Sequence, residues 1–67
     1  MKYIRYIKHA RERMVKRGIS EKEVANATSK GSKTTRDGKI VAAYMYFEVV
    51  YGMVGNGAYV VNVIPRQ

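Results

Sequence analysis

The sequence predicts an α+β fold: two N-terminal helices packed on one face of a three- or four-stranded antiparallel β-sheet. Three observations carry this. Apolar residues from Lys8 to Lys30 recur at helical spacing, with a stop at Gly18 and a restart at Ser20. Beyond Gly31 the pattern changes to alternating, β-prone runs. Two turn signals, Asp37-Gly38 and Gly55-Asn56-Gly57, then divide those runs into hairpins.

Each element has a local reason. Tyr3-Ile4-Arg5-Tyr6-Ile7 alternates weakly and is a candidate short strand. Helix one is expected over Lys8 to Arg17, with Ile7, Ala10 and Met14 as its apolar stripe. Gly18 suits the left-handed position that closes a helix. Ser20 as N-cap with Glu23 at the third helical position makes a capping box, and Ile19 with Val24 makes a hydrophobic staple. Helix two is expected to run to about Lys30 with Val24, Ala27 and Thr28 inward, and to end at Gly31. Lys33–Arg36, Lys39–Tyr44, Phe47–Val54 and Ala58–Ile64 read as strands, with an unsignalled turn near Met45 and Tyr46. Pro65 is expected to end the last pairing, because proline has no N–H to donate.

Sixty-seven residues make one domain, spanning 1–67. So short a chain buries only about 60% of the surface it exposes when unfolded, and its core supplies no more than ~3–5 kcal/mol. There is no cysteine, one histidine and five carboxylates, so no disulfide, metal or cofactor is expected. No apolar run reaches the ~20 residues of a membrane span. Arg5, Lys8 and Arg11 break any signal-peptide core, so the expected location is the cytoplasm, with no membrane partner. Thirteen Lys and Arg against five acids give a net charge of +8. Such a field attracts polyanions, either nucleic acid or an acidic protein.

His9, Arg13 and Arg17 are four residues apart and so lie along one side of helix one, beside its apolar stripe. RNA cleavage needs a base for the 2′-hydroxyl, an acid for the leaving oxygen and cations for the phosphate. His9 and Arg13 are the catalytic candidates, His9 as base or acid because histidine is the side chain whose unperturbed pKa lies near neutrality. Equally, His9 can serve the helix N-terminus or the core edge, and the arginines can form a plain solvated face. Arg17, Arg36, Lys39, Tyr59 and Arg66 are the nucleic-acid-binding candidates. Arg36 and Lys39 flank the Asp37-Gly38 turn, and Arg66 follows the last strand. Six tyrosines are many for this length. Tyr44 and Tyr51 share strand faces with apolar neighbours and read as core, leaving Tyr46 and Tyr59 for the surface, where aromatic rings stack on unpaired bases. No glycine-rich phosphate loop or paired carboxylate is present. The short turn between the helices is not read as a DNA-binding motif, because the second helix begins acidic.

The phrase His9-Ala10-x-x-Arg13-Met14-x-x-Arg17-Gly18-Ile19-Ser20, followed by Glu21-x-Glu23-Val24, resembles the small bacterial and archaeal proteins of the DUF4258 family. Asp37-Gly38-Lys39-Ile40-Val41-Ala42 and Phe47-Glu48-Val49-Val50-Tyr51 extend the resemblance over most of the chain. It implies a RelE/ParE-like toxin fold, whose characterised members cut mRNA on the ribosome or inhibit other targets. RelE-type toxins often use a late tyrosine or histidine, and relatives carry an aromatic just before the proline. This chain has Ile64 there, which weakens a catalytic reading.

The function expected from charge and resemblance is therefore a small basic toxin-type protein that binds RNA or the ribosome, with mRNA cleavage as a candidate activity by fold analogy. The alternative is a non-enzymatic module that forms a homodimer or docks an acidic protein partner such as an antitoxin.

Overall fold

In the computed structural model, which describes residues 3–66, the chain runs β1 (Tyr3–Tyr6), α1 (Lys8–Arg17), α2 (Glu21–Lys30), β2 (Ser32–Arg36), β3 (Lys39–Tyr44), β4 (Phe47–Val54) and β5 (Gly57–Pro65). Five strands form one sheet in the order β1-β5-β4-β3-β2. From β2 to β5 it is the expected antiparallel meander. β1 lies parallel to β5, with Tyr3 opposite Gly57 and Tyr6 opposite Val60.

The expectation of three or four antiparallel strands behind two N-terminal helices is thus corrected. The sheet is mixed and five-stranded, and the helices lie between β1 and β2. A parallel pair needs a long crossover, and the helical hairpin begins that crossover. The alternation of Tyr3–Tyr6 marks a strand but carries no sign of a partner at the far end of the chain.

Local chemistry explains the helix boundaries. Gly18 adopts φ 70°, its N–H bonds Val15 O at 3.2 Å, and the Ile19 N–H bonds Met14 O at 2.9 Å. This is a Schellman closure, completed by the buried pair Met14 and Ile19. The Ser20 hydroxyl oxygen accepts the Glu23 N–H at 3.2 Å, while Glu23 Oε1 accepts the Ser20 N–H at 2.9 Å. Ile7 departs from the expected apolar stripe. It is the extended N-cap of α1, its N–H bonds Val60 O at the end of β1, and its side chain continues the outward alternation of Tyr3 and Arg5, so it is exposed.

Both helices cover the same sheet face. Ala10 and Met14 of α1 and Val24 and Ala27 of α2 share one buried core with Ala42, Phe47, Val49 and Val60. Alternation along the strands sends their neighbours to the opposite, open face. In β5 the alternation shifts by one residue: Val60 faces Tyr51 and Asn62 faces Val50, leaving Val61 without a partner. This bulge is why Val60 and Val63, three apart, both reach the core.

The three turns follow two patterns. Asp37 (φ 53°) and Gly38 (φ 78°) are both left-handed, as a type I′ hairpin requires. Gly55 (φ 59°) and Met45 (φ 53°) each lead a two-residue turn with positive φ at its first position. Pairing does not stop at Pro65, which stands opposite Phe47, and the Arg66 N–H still reaches Tyr46 O at 2.9 Å. Proline is tolerated because β1 pairs with Gly57–Val60, so the outer side of β5 at Pro65 has no strand partner among the described residues.

Candidate nucleic-acid interface

The structure divides the seven candidate residues between the two sides of the sheet. His9, Arg13 and Arg17 are on α1. Arg11, on the same helix, donates to Glu21 of α2 at 3.0 Å and lies 4.8 Å over the Tyr6 ring. That flank of α1 therefore faces α2. At about 100° per residue, His9, Arg13 and Arg17 occupy the other flank, with His9 and Arg17 exposed and Arg13 half-buried. Within the Arg11 cluster the Tyr6 hydroxyl is pushed above its usual pKa, first by burial and then by the Glu21 charge, with Arg11 opposing. Among the described residues no group of His, Cys, Asp and Glu is placed to hold a metal ion.

Arg66 is occupied locally. Its guanidinium donates to Met45 O at 3.1 Å and its backbone to Tyr46 O, so it clamps the β3–β4 turn. Tyr46 is exposed but engaged: its hydroxyl donates to Glu23 Oε2 at 3.3 Å. Tyr51 is buried and Tyr44 packs against the core, as expected.

Arg36, Lys39 and Tyr59 lie together on the open face. Tyr59 stands between Ala58 and Val60, which are core residues, so it projects the other way. Arg36 and Lys39 are register partners next to Thr35 and Ile40, of which Ile40 packs on the core. They too fall on the open face. Register then aligns a row across the sheet. Arg5 of β1 is opposite Tyr59 of β5, and Tyr59 is opposite Gly52 of β4. Ile40 is opposite Tyr51, so one further step sets Lys39 beside Gly52, and Arg36 of β2 closes the row beside Lys39. Four inter-strand steps of about 4.8 Å make the row about 19 Å wide. It holds three cations and one aromatic ring.

Glycine shapes this surface. A Cβ on Gly52 would fall 2.6 Å from the Tyr59 ring, and one on Gly57 would collide with the Tyr3 ring. Each tyrosine leans across the neighbouring strand into the space that a side chain would fill. This is why Tyr59, expected to be exposed, is half-buried. Arg5 extends over Tyr3, its guanidinium carbon 5.5 Å from the ring centroid. The open face carries one acid among the described residues of its strands, Glu48, which sits opposite Ala43 and Ile64 and away from the row.

Tyr3 and Arg5 were not among the candidates. Their pattern was in the sequence, since both alternate with the inward Ile4 and Tyr6. What was missing was the pairing of β1 with β5. Gly52, in the middle of an otherwise bulky strand, was the available signal, because glycine there often marks a close approach.

A family model described as a domain of unknown function, DUF4258, matches residues 6–65. The chain belongs to the DUF4258 family. No curated protein matches it. Among solved structures, this DUF4258 chain is similar to a chain of the toxin–antitoxin complex RelBE2 from Mycobacterium tuberculosis, with a TM-score of 0.69 and 16% identity over 96% of each chain. At that identity the likeness is one of fold. It is the α+β fold of two helices on a five-stranded mixed sheet that this DUF4258 chain shares with that chain. No helix among its described residues is long and apolar enough to cross a membrane.

Proposed function

We propose that this DUF4258 protein is a toxin-type module that binds single-stranded RNA, free or on the ribosome, across the open face of its sheet. The observation that carries the reading is the cross-strand row Arg5–Tyr59–Gly52–Lys39–Arg36. Guanidinium and ammonium groups spaced over about 19 Å suit the repeating phosphates of a strand. An aromatic ring between them offers a stacking surface that any base can use. A net charge of +8 supports the same partner. His9 and Arg13 lie behind the sheet from this row, so a strand held on the open face does not meet them. The proposed activity is accordingly binding rather than cleavage by His9.

The test is a titration with short single-stranded RNA over a salt series. Each phosphate contact contributes a slope of about −0.7 in log K against log salt, so three cations give a slope near −2. Absence of RNA binding at low salt overturns the reading.

A second reading, docking of an acidic, antitoxin-like protein, has its own observation. β2 is exposed at every residue and its outer edge is unpaired among the described residues. Such an edge accepts an added strand. Lys33 and Arg36 on it disfavour a second copy of this chain and favour an acidic one.

A further inference from the structure

The β1 end of the open face is more than a charged row. Tyr3, Arg5, Val54, Gly57, Ala58 and Tyr59 line a cleft of about 370 Å³, within the ~300–1,000 Å³ range of small-molecule sites. Its walls come from three adjacent strands. The Tyr3 ring lies over Gly57 and the Tyr59 ring over Gly52, so both lean in the same direction, each onto the next strand. Gly57, which carries no side chain, lies beneath the Tyr3 ring, as Gly52 lies beneath the Tyr59 ring. The cleft is thus lined by two tyrosine rings from adjacent strands. The Arg5 guanidinium carbon lies 5.5 Å from the Tyr3 ring centroid, and Arg5 is register partner to Tyr59 on the neighbouring strand. Among the described residues, no carboxylate side chain lines the cleft.

We propose that this cleft seats one unpaired nucleobase, stacked by Tyr3 and Tyr59, with its phosphate held by Arg5. The proposal rests on the RNA-binding reading and deepens it by adding a fixed base position at one end of an otherwise sequence-blind row. Stacking tolerates any base, because every base has a π-face. The cleft thus sets where the strand is anchored rather than which sequence is chosen. Two sources share this chemistry, a nucleotide within a strand and a free nucleoside monophosphate, and the experiment separates them.

The probe is a short single-stranded RNA carrying 2-aminopurine, whose fluorescence falls when an aromatic ring stacks on it. Free adenosine monophosphate is titrated in parallel. The wild type is expected to quench the probe and to bind it more tightly than the mononucleotide. Tyr3→Leu and Tyr59→Leu are expected to lose the quench and to weaken binding roughly 5- to 150-fold each, with the salt slope kept. Tyr59→Phe retains the ring and is expected to behave as the wild type. Circular dichroism checks that the leucine variants are folded, and since they lie on different strands, either one suffices. RNA binding with a normal salt slope but no quench overturns the cleft and leaves the RNA reading standing. Tyrosine-dependent binding of adenosine monophosphate without RNA binding supports the cleft and overturns the strand reading. Binding of neither overturns both.

Discussion

The Tyr59 ring occupies the volume that a side chain on Gly52 would fill, with ring atoms 2.6 Å from the position of a Cβ. Gly31 is crowded to a similar degree, but by backbone: a Cβ there meets Ala27 O at 2.6 Å and Ala43 O at 2.8 Å. The two positions should respond differently. A tyrosine ring on an open face can swing away, whereas α2 and β3 cannot separate without losing core contacts. Gly52→Ala is expected to unfold within about 1 kcal/mol of the wild type while displacing Tyr59. Gly31→Ala should cost about 1–3 kcal/mol, lowering Tm by about 4–8 °C per kcal/mol in a domain of this size. Thermal unfolding of the pair checks the contrast, and equal losses would contradict it.

Glu23 links the start of α2 to the β3–β4 turn. The backbone N–H of Ser20 holds its carboxyl below the usual carboxylate value, with further help from the Ser20 and Tyr46 hydroxyls and against partial desolvation. A carboxyl whose pKa is lower in the folded state stabilises fully above its unfolded value of about 4.5. That contribution is lost as pH falls through the folded value. The stability gap between wild type and Glu23→Gln should therefore be constant near neutrality and close below pH ~4.5. Tyr46→Phe should raise the Glu23 midpoint measured by NMR. Ser20→Ala should cost about 1 kcal/mol at neutral pH.

Met45 holds φ 53° without being glycine or asparagine. Left-handed backbone costs an ordinary residue about 1–2 kcal/mol, and Arg66 supports the turn through Met45 O and Tyr46 O. Met45 is exposed, so its side chain contributes little packing. Met45→Gly is expected to stabilise by about 0.5–1 kcal/mol, net of the extra freedom glycine brings to the unfolded chain. Met45→Val should destabilise. Denaturant midpoints at constant m-value read both.

Phe47 is fully buried and packs edge-on to Tyr44 and Tyr46, with ring centroids at 6.2 Å and 5.4 Å. Removing such a ring costs about 3–5 kcal/mol, as much as a core of this size supplies. Phe47→Ala is expected to be largely unfolded at 25 °C by circular dichroism, and Phe47→Leu to remain folded with a lower Tm.

Sequence legibility followed the range of the interactions concerned. The Gly18 closure, the Ser20–Glu23 box and the Asp37-Gly38 hairpin are made by residues within a few positions of one another, and each appears where its local chemistry put it. Even the unsignalled turn at Met45 and Tyr46 falls in place, because the strands on either side are bounded by their own patterns. What stayed hidden is non-local. The parallel pairing of Tyr3 with Gly57 joins the two ends of the chain, and the bulge at Val61 shifts the face of every residue after it. The site suffered most from this. Arg36, Lys39 and Tyr59 were visible as cations beside a turn and an unexplained aromatic. Their alignment with Arg5 depends on sheet order, which no window of sequence contains.

The separation of the candidate cations onto two sides of the sheet gives the sharpest test of the proposed face. Arg36 and Lys39 lie in the open-face row, while His9 and Arg13 lie on the flank of α1 turned away from α2, behind the sheet. Phosphate contacts are counted by the salt slope, and each one removed from a single strand should reduce it by about 0.7. Arg36→Gln with Lys39→Gln should flatten the slope by about 1.4 and weaken RNA binding at low salt. His9→Ala with Arg13→Ala removes one formal positive charge from the molecule at pH 7, against two for the hairpin pair, and none from the row, so the slope should be unchanged. Both double variants alter exposed or half-buried side chains, and unfolding curves should confirm that neither has lost its fold. If the α1 pair flattens the slope and the hairpin pair does not, the strand runs along the helices, and the open face is free for a protein partner.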